Sequence, residues 1–497
     1  MLNGGRVYSY EPGPRSWSRA AALVVVDGRI GSLEARDAGG GLRTIDLDGG
    51  VVVPAFADCH VHLTDTGLFL GRHDLGAVRG ADEFARRIAA LPRGPFVLAG
   101  NYDESLWADR GTANAAPLEA HFPDAIAMAV RVDGHSCLLN RKALAFAALS
   151  ADTPGIERNA ADEPTGRLSL EANWRAQATI LAAIPQSHRR DAERRATALA
   201  LREGALHLHV QLVGLPSREA YREEIAALPQ AGAAKWHPKI CDRDPAFARE
   251  LGLPYIGGDV FLDGSIGSGT AAVSEPYCDR EGYGRLMLDD AEVERYFAES
   301  ERLGVSAGVH AIGDRAIEQC LAFWEKVLGS KPSPRCRHFI EHFEIAAPEQ
   351  ITRAARLGLY LSMQPQFDAA WGHPGGMYDV RLGAPRARAM NALRSAKRAG
   401  AVLAGGDDSP VCALSPLTGM RAATEHHQRT ERLSVEDALL MYTYDAARFG
   451  HAERDTGTLL PGYAADFVVL DGDPFAQRSF NGVRVRETSR DGERVWP

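Results

Sequence analysis

The feature that most restricts the fold of this chain is an alternation. From about Arg195 onward, short apolar runs that read as strands give way to polar, helix-like segments and then to another run. The runs are ALHLHVQLVG, AAKWHPKICD, YIGGDVFLDGS, VSAGVHAIGD, RHFIEHFEI, LYLSMQPQF and AVLAGGDDSPV, and VVVPAFADCHVHL stands earlier as the first of the series. Segments such as DDAEVERYFAESERLG and PEQITRAARLG lie between some of them. Strands alternating with helices predict a parallel sheet covered by helices, because parallel strands need crossover connections. Eight such repeats predict an α/β chain built as a distorted (β/α)8 TIM barrel over 54–456. The span 71–194 interrupts the alternation and reads as a compact insertion after the first barrel strand, broken at Pro92, Pro117, Pro154 and Pro164.

Both ends of the chain have a different texture. AALVVVDGRIGSLEA and TIDLDGGVVVPAF near the start, and GTLLPGYAADFVVLDGDPF and VRVRETSRDGERVW near the end, are short strands with turn pairs. Chain termini are often close in space. The expectation is a small β-sandwich-like unit made of 1–53 and 457–497.

Length and charge narrow the function. The 497 residues include 56 Lys+Arg against 65 Asp+Glu, a formal net charge of -9. Such a balance gives no global basic footprint for nucleic acid or anionic membrane. The seven cysteines form no C-x-x-C pair and are odd in number, which favours a reducing cytoplasm over a disulfide framework or a Cys-type zinc knuckle. The N-terminus lacks the apolar core of a secretory signal, and no apolar run reaches the length of a membrane span. The expected partners are a small-molecule substrate and a second copy of the chain in a homodimer.

Chemistry is expected where strands end, since barrel active sites lie at the C-terminal face. Cys59-His60-Val61-His62 places two imidazoles two residues apart, on one side of a strand, with Val61 turned away. Two such imidazoles can chelate a divalent ion, zinc being the commonest hydrolytic choice. His310 closes VSAGVH, His342 closes RHFIEH, and Asp408 closes AVLAGGDD. Surface or merely structural histidines would explain each singly; the ordered set on the first, fifth, sixth and eighth strands points to a metal centre.

With these residues in view, the chain resembles the amidohydrolase superfamily, and within it the amidohydrolase family 3 group that includes N-substituted formamide deformylases. The motifs are PAFADCHVHL, VDGHSCLLNRKAL, FLDGSIGSGTAAVSEPY, VHAIGDRAI, RHFIEH, GDDSPV with SPLTG, and GTLLPGYAADFVVLDGDP, spread from about Val52 to Pro474. The resemblance implies that His60, His62 and Asp408 bind the more buried ion and that His310 and His342 bind a second. It also implies that Asp408 is the base that takes a proton from the attacking water and passes it to the leaving nitrogen. His135, in DGHSCLLN, matches a motif that could reach substrate.

The chain departs from this group at the fourth strand. Asp259, in GDVFLDGS, stands where a carboxylated Lys bridging two ions is expected, and the chain has only six lysines. Lys235 and Lys239 fall on the third strand, out of register. A carboxylate on a one-carbon stem reaches less far than a carbamate, so one zinc ion is expected rather than two, with Asp259 as an uncertain ligand. Asp263, Asp314 and Arg315 read as loop braces, His207 and His209 as a second H-x-H outside the ligand set, and His237, His373, His426 and His427 as surface or loop residues. The functional expectation is a metal-dependent hydrolase of an amide or related C–N bond. The alternatives are a deaminase of a cyclic amidine, which would need a Glu near the fifth strand, and a catalytically impaired ligand-binding barrel.

Overall fold

The structure is a computed structural model and describes residues 1–34, 45–70, 73–107 and 113–497. Gly71, where the insertion is expected to begin, lies outside the described residues. Near the N-terminus, β1 (Arg6–Glu11), β2 (Ser16–Ala20) and β3 (Val51–Pro54) precede the first long central strand, β4 (Phe56–Val61), every residue of which is buried. The short helix α1 (Leu63–Leu68) follows directly.

The insertion folds around its own sheet. Strands β5 (Phe96–Tyr102), β6 (Ile126–Arg131), β7 (Ser136–Leu139), β8 (Ile156–Arg158) and β9 (Pro164–Ser169) pair in the order β8-β9-β7-β6-β5. Helix α2 (Leu170–Ala182) leads out of it to α3 (Gln186–Arg202). Helix α3 begins inside the span read as insertion, yet it packs against α1 and against the next central strand, β10 (Ala205–Leu212).

The alternation then runs through β11 (Lys235–Trp236), β12 (Lys239–Ile240), β13 (Tyr255–Ile256), β14 (Ser306–Ala311), β15 (Phe339–His342), β16 (Tyr360–Met363) and β17 (Val402–Gly405). β10 pairs in parallel with β4, β11 and β12, and β13 to β17 pair in parallel in sequence order. Two backbone hydrogen bonds span the remaining gaps: Gly257 N–H to Ile240 O (2.9 Å) and Asp408 N–H to His60 O (2.8 Å). This is an α/β arrangement of the TIM-barrel type. The residues buried on both faces of these strands explain why they read as continuous apolar runs.

The helices follow from local chemistry. The segment Asp290–Leu303 starts at a capping box between Asp289 and Glu292 and stops at Gly304, whose φ of 72° suits a residue without Cβ. Val293, Tyr296, Phe297 and Ser300 repeat at helical spacing and form its buried face. Each large apolar side chain buried this way contributes about 1.5–3 kcal/mol.

The C-terminal strands β18 (Phe467–Leu470), β19 (Val485–Arg490) and β20 (Glu493–Trp496) join the N-terminal ones in a six-stranded sheet ordered β20-β19-β18-β3-β1-β2. No helix among the described residues is long and apolar enough to cross a membrane.

One group of histidines departs from the sequence expectation. His237 lies against the N-terminal half of β10: its ring stacks on that of His209 (4.5 Å, 12°), and its Nε2 is 3.2 Å from His207 Nδ1. Packing of β10 buries His207 and His209 and half-buries His237, and His209 Nδ1 is buried without a hydrogen-bond partner. Burial, reinforced by His207 and the nearby lysines, holds His237 down to about 3. Burial and His237 hold His209 well below a free imidazole. Both rings stay neutral when folded, whereas an unfolded chain's histidines take protons near pH ~6.5. Stability is therefore present above that pH and is lost as pH falls from ~6.5 toward about 3. The thermal midpoint should drop between pH 7.5 and pH 5, and by less in His209→Leu. Equal drops in parent and variant would place the acid-sensitive groups elsewhere.

Candidate metal centre

The ligand-type side chains gather at the C-terminal ends of the central strands. His60 lies on β4 and His62 just past it, so strand alternation turns both the same way. His310 is on β14, His342 ends β15, and Asp408 follows β17. Asp259 stands beyond β13, after a break in the strand.

That break explains a difference from the sequence expectation. Only Tyr255–Ile256 of YIGGDVFLDGS is strand. Gly257 and Gly258 have φ of 90° and 97°, and a Cβ at either would meet Gly308 O at 2.1 Å or Gln211 Oε1 at 2.3 Å. The chain thus turns where only glycine fits. Past the turn, the short side chain of Asp259 does reach the imidazoles: Oδ2 is 3.4 Å from His60 Nε2 and 3.2 Å from His62 Nε2. An unbroken strand would not bring so short a side chain this close.

Asp408 Oδ1 approaches the same two nitrogens, at 3.2 Å from His60 and 3.1 Å from His62. Donors about 2.0–2.1 Å from a tetrahedral ion stand roughly 3.3 Å from one another. His60, His62, Asp259 and Asp408 have that spacing. The other oxygen of Asp259, Oδ1, faces His310 Nδ1 at 3.8 Å and His342 Nε2 at 3.9 Å, a looser set.

Atoms facing both positions are left without partners. His60 Nε2 and Asp408 Oδ1 at the closer set, and His310 Nδ1 and Asp259 Oδ1 at the looser one, are buried and make no hydrogen bond. Unsatisfied buried polar atoms are costly, and several of them gathered at the ends of adjoining strands call for a cation. The donor set, imidazole nitrogen with carboxylate oxygen, suits zinc and its first-row neighbours. The residues present therefore fit the ion that the sequence reading implies.

The other ring atoms fix which nitrogen is free. His310 Nε2 donates to Gly264 O (3.2 Å), and His342 Nδ1 donates to Gln364 Oε1 (2.9 Å). His60 Nδ1 donates to Glu341 Oε2 at 2.8 Å. Glu341 is fully buried, and its Oε1 accepts from Lys239 Nζ at 2.6 Å and from Gln211 Nε2 at 3.3 Å. Lys239 also donates to Cys59 O (2.8 Å) and lies over the rings of Phe339 and Phe449. The sequence reading missed this chain of contacts. Its signal was a Glu beside His342 and one lysine of six inside an apolar strand.

Electrostatics agree with the contacts. Burial opposes charge on His60, yet Asp259, Glu341 and Asp408 together raise its pKa well above a free imidazole. Burial alone would raise Asp259 and Asp408, but His60 and its neighbours hold both below the usual carboxylate range. Against burial, Lys239 and His60 keep Glu341 ionised, with a pKa of about 2. His342 and Asp408 take left-handed φ values of 73° and 52°, which side-chain-bearing residues rarely adopt. Such strain gathers at functional sites.

Neighbouring candidates fall into place around this centre. Asp407 points away, accepting from Gln366 Nε2 (2.8 Å) and from Ser415 N–H (2.6 Å) of SPLTG. Asp263 accepts three backbone N–H groups, from Ala272, Ile312 and Gly313, and braces its loop. Asp314 accepts from Ser274 N–H (2.9 Å). His135 lies beside His310, ring centroids 5.2 Å apart, with Nδ1 buried and unpartnered. Burial and the adjacent His310 hold it near 3, so it is a neutral ring. His426, read as a surface or loop residue, is instead buried, its Nε2 3.1 Å from Asn391 O. Glu344, also missed, is buried just past His342 and accepts from Tyr378 O–H at 2.6 Å. A cleft of about 1340 Å³, counting its open mouth, leads to His62, Asp259, His310, His342 and Asp408.

Comparison with known proteins gives the family. The amidohydrolase family model matches residues 43–496. A Bacillus subtilis (strain 168) protein named as amidohydrolase YtcJ is 30% identical, with 100% of this chain and 99% of that protein covered. The N-substituted formamide deformylase of Arthrobacter pascens is 24% identical over 96% of this chain and 94% of its own. Among solved structures, an uncharacterized metal-dependent hydrolase from Pyrococcus furiosus superposes with a TM-score of 0.73 at 25% identity, covering 95% of this chain and 99% of its own.

The contacts of Glu341 predict its effect. Partners that orient a ligating histidine typically contribute 10–100-fold to metal affinity. Glu341→Gln should lose bound metal to a chelator at about 10–100-fold lower chelator concentration than the parent. Equal retention would show that Glu341 does not hold His60 for the ion.

Proposed function

The chain belongs to the amidohydrolase family, and from that premise we propose that it hydrolyses an amide or related C–N bond of a small molecule at one tightly held zinc ion. The observation that carries this reading is the set of buried, unpartnered donor atoms facing one another at the strand ends. His60, His62 and Asp408 would hold the ion, with Asp259 close beside them and a position left for the attacking water. His310 and His342, with the second oxygen of Asp259, offer a weaker position. A divalent ion there supplies Lewis acidity, polarising the scissile carbonyl and acidifying the attacking water.

The protein's own groups do the rest. Asp408 accepts the proton of the attacking water and delivers it to the leaving nitrogen, as a base within hydrogen-bond reach can. Glu341, held anionic by Lys239, keeps His60 in the tautomer whose Nε2 is free. His135, neutral and unpartnered at Nδ1, hydrogen-bonds the substrate. Seven free cysteines support action in a reducing compartment.

A second reading, deamination of a cyclic amidine, is favoured by Glu344, a buried carboxyl in the cavity shared with His310, His342 and Asp408. That reaction releases ammonia, whereas amide hydrolysis releases a carboxylate and an amine, and product analysis separates them. For either reaction Asp408→Asn keeps the shape of the side chain but cannot take a proton. Turnover should fall by roughly two to four orders of magnitude with circular dichroism unchanged. A variant within about tenfold of the parent would assign the proton transfer to another group.

A further inference from the structure

We propose that the cleft beside the metal centre is a specificity pocket for the uncharged aromatic or aliphatic arm of an amide, and that it rejects substrates carrying a carboxylate on that arm. The inference rests on the hydrolase reading above and narrows its substrate class.

One wall comes from a single helix face. Trp174, Gln177, Ala178 and Leu181 of α2 recur at spacings of three and four and all line the cleft. Leu63 and Leu68 of α1, with Leu212 and Leu215 at the end of β10 and beyond, line it as well. The rings of Trp174 and Phe261 stack at 4.6 Å and 14°. His135 lies edge-on to both at 5.5 Å and then touches His310. An aromatic platform thus runs up to the metal ligands, where a substrate ring can bury its face.

The charged groups on these walls decide which arm is accepted. Arg131 is spent on three carboxylates: Asp103 at 2.9 Å, Glu104 at 3.0 Å and Asp133 at 2.7 Å. Arg189 is tied to Glu224. Each guanidinium lining the cleft among the described residues is thus already paired with at least one carboxylate. Asp65, in contrast, lines the cleft and its carboxylate has no hydrogen bond or ion pair among the described residues. A substrate carboxylate would lose its hydration, compete with Glu224 for Arg189 and meet Asp65.

Calorimetric titration of the metal-loaded full chain tests this with two probes that differ only by a carboxylate, N-acetylphenethylamine and N-acetyl-L-phenylalanine. The neutral amide should bind at least about tenfold more tightly. Trp174→Ala should weaken its binding about tenfold, as loss of an aromatic anchor does, and Asp65→Asn should narrow the gap between the two probes. Equal or tighter binding of the carboxylated probe, or no binding of either, would overturn the proposal. Following hydrolysis in the same samples separates the two readings. If the neutral probe binds preferentially and is not cleaved, the proposed cleavage of such amides fails and the pocket stands.

Discussion

Four donor atoms, two imidazole nitrogens and two carboxylate oxygens, point at one another inside a buried cleft at separations of 3.1–3.4 Å. Much of the surrounding structure follows from that concentration of polar atoms. Buried charge must be compensated. The protein does this on the far side of each ring, where Glu341, Gln364 and Gly264 accept from His60, His342 and His310, so that the near side stays free. Lys239, itself buried, neutralises Glu341 and ties it to the backbone of the first central strand. The centre is thus fixed by a charge chain that runs from β12 through β15 to β4, not by the ligands alone.

The same centre shapes the backbone. Gly257 and Gly258 turn the chain where any side chain would strike Gly308 or Gln211, and past this turn the short side chain of Asp259 lies 3.4 Å from His60 and 3.2 Å from His62. Left-handed φ values at His342 and Asp408 turn the backbone where β15 ends and just past the end of β17. Packed interiors do not deform gradually to meet a ligand. Discrete backbone turns at the strand ends place the donors instead.

The α/β alternation is legible in the sequence because strands buried on both faces leave continuous apolar runs. So are His60 and His62, since period-two spacing alone assigns their side, and His310, His342 and Asp408, which close apolar runs. The reach of Asp259 is not legible, because it depends on a glycine turn that a strand pattern hides. Glu341 and Lys239 are harder still: each lies far in sequence from the other and from His60, and only folding brings them together. The burial of His426, and the stacking of His237 on His209, escape a reading that treats isolated histidines as surface or loop residues. The apolar cleft wall on α2 is visible only once the helix face is set against α1 and the end of β10.

The most direct measurement is anomalous diffraction at the zinc edge from crystals of the dialysed protein. The account predicts one fully occupied peak about 2.0–2.2 Å from His60 Nε2, His62 Nε2 and Asp408 Oδ1, on the side of Asp259 Oδ2, with weak or no density between His310 and His342. Two fully occupied ions bridged by Asp259, or a peak outside this donor set, would contradict it.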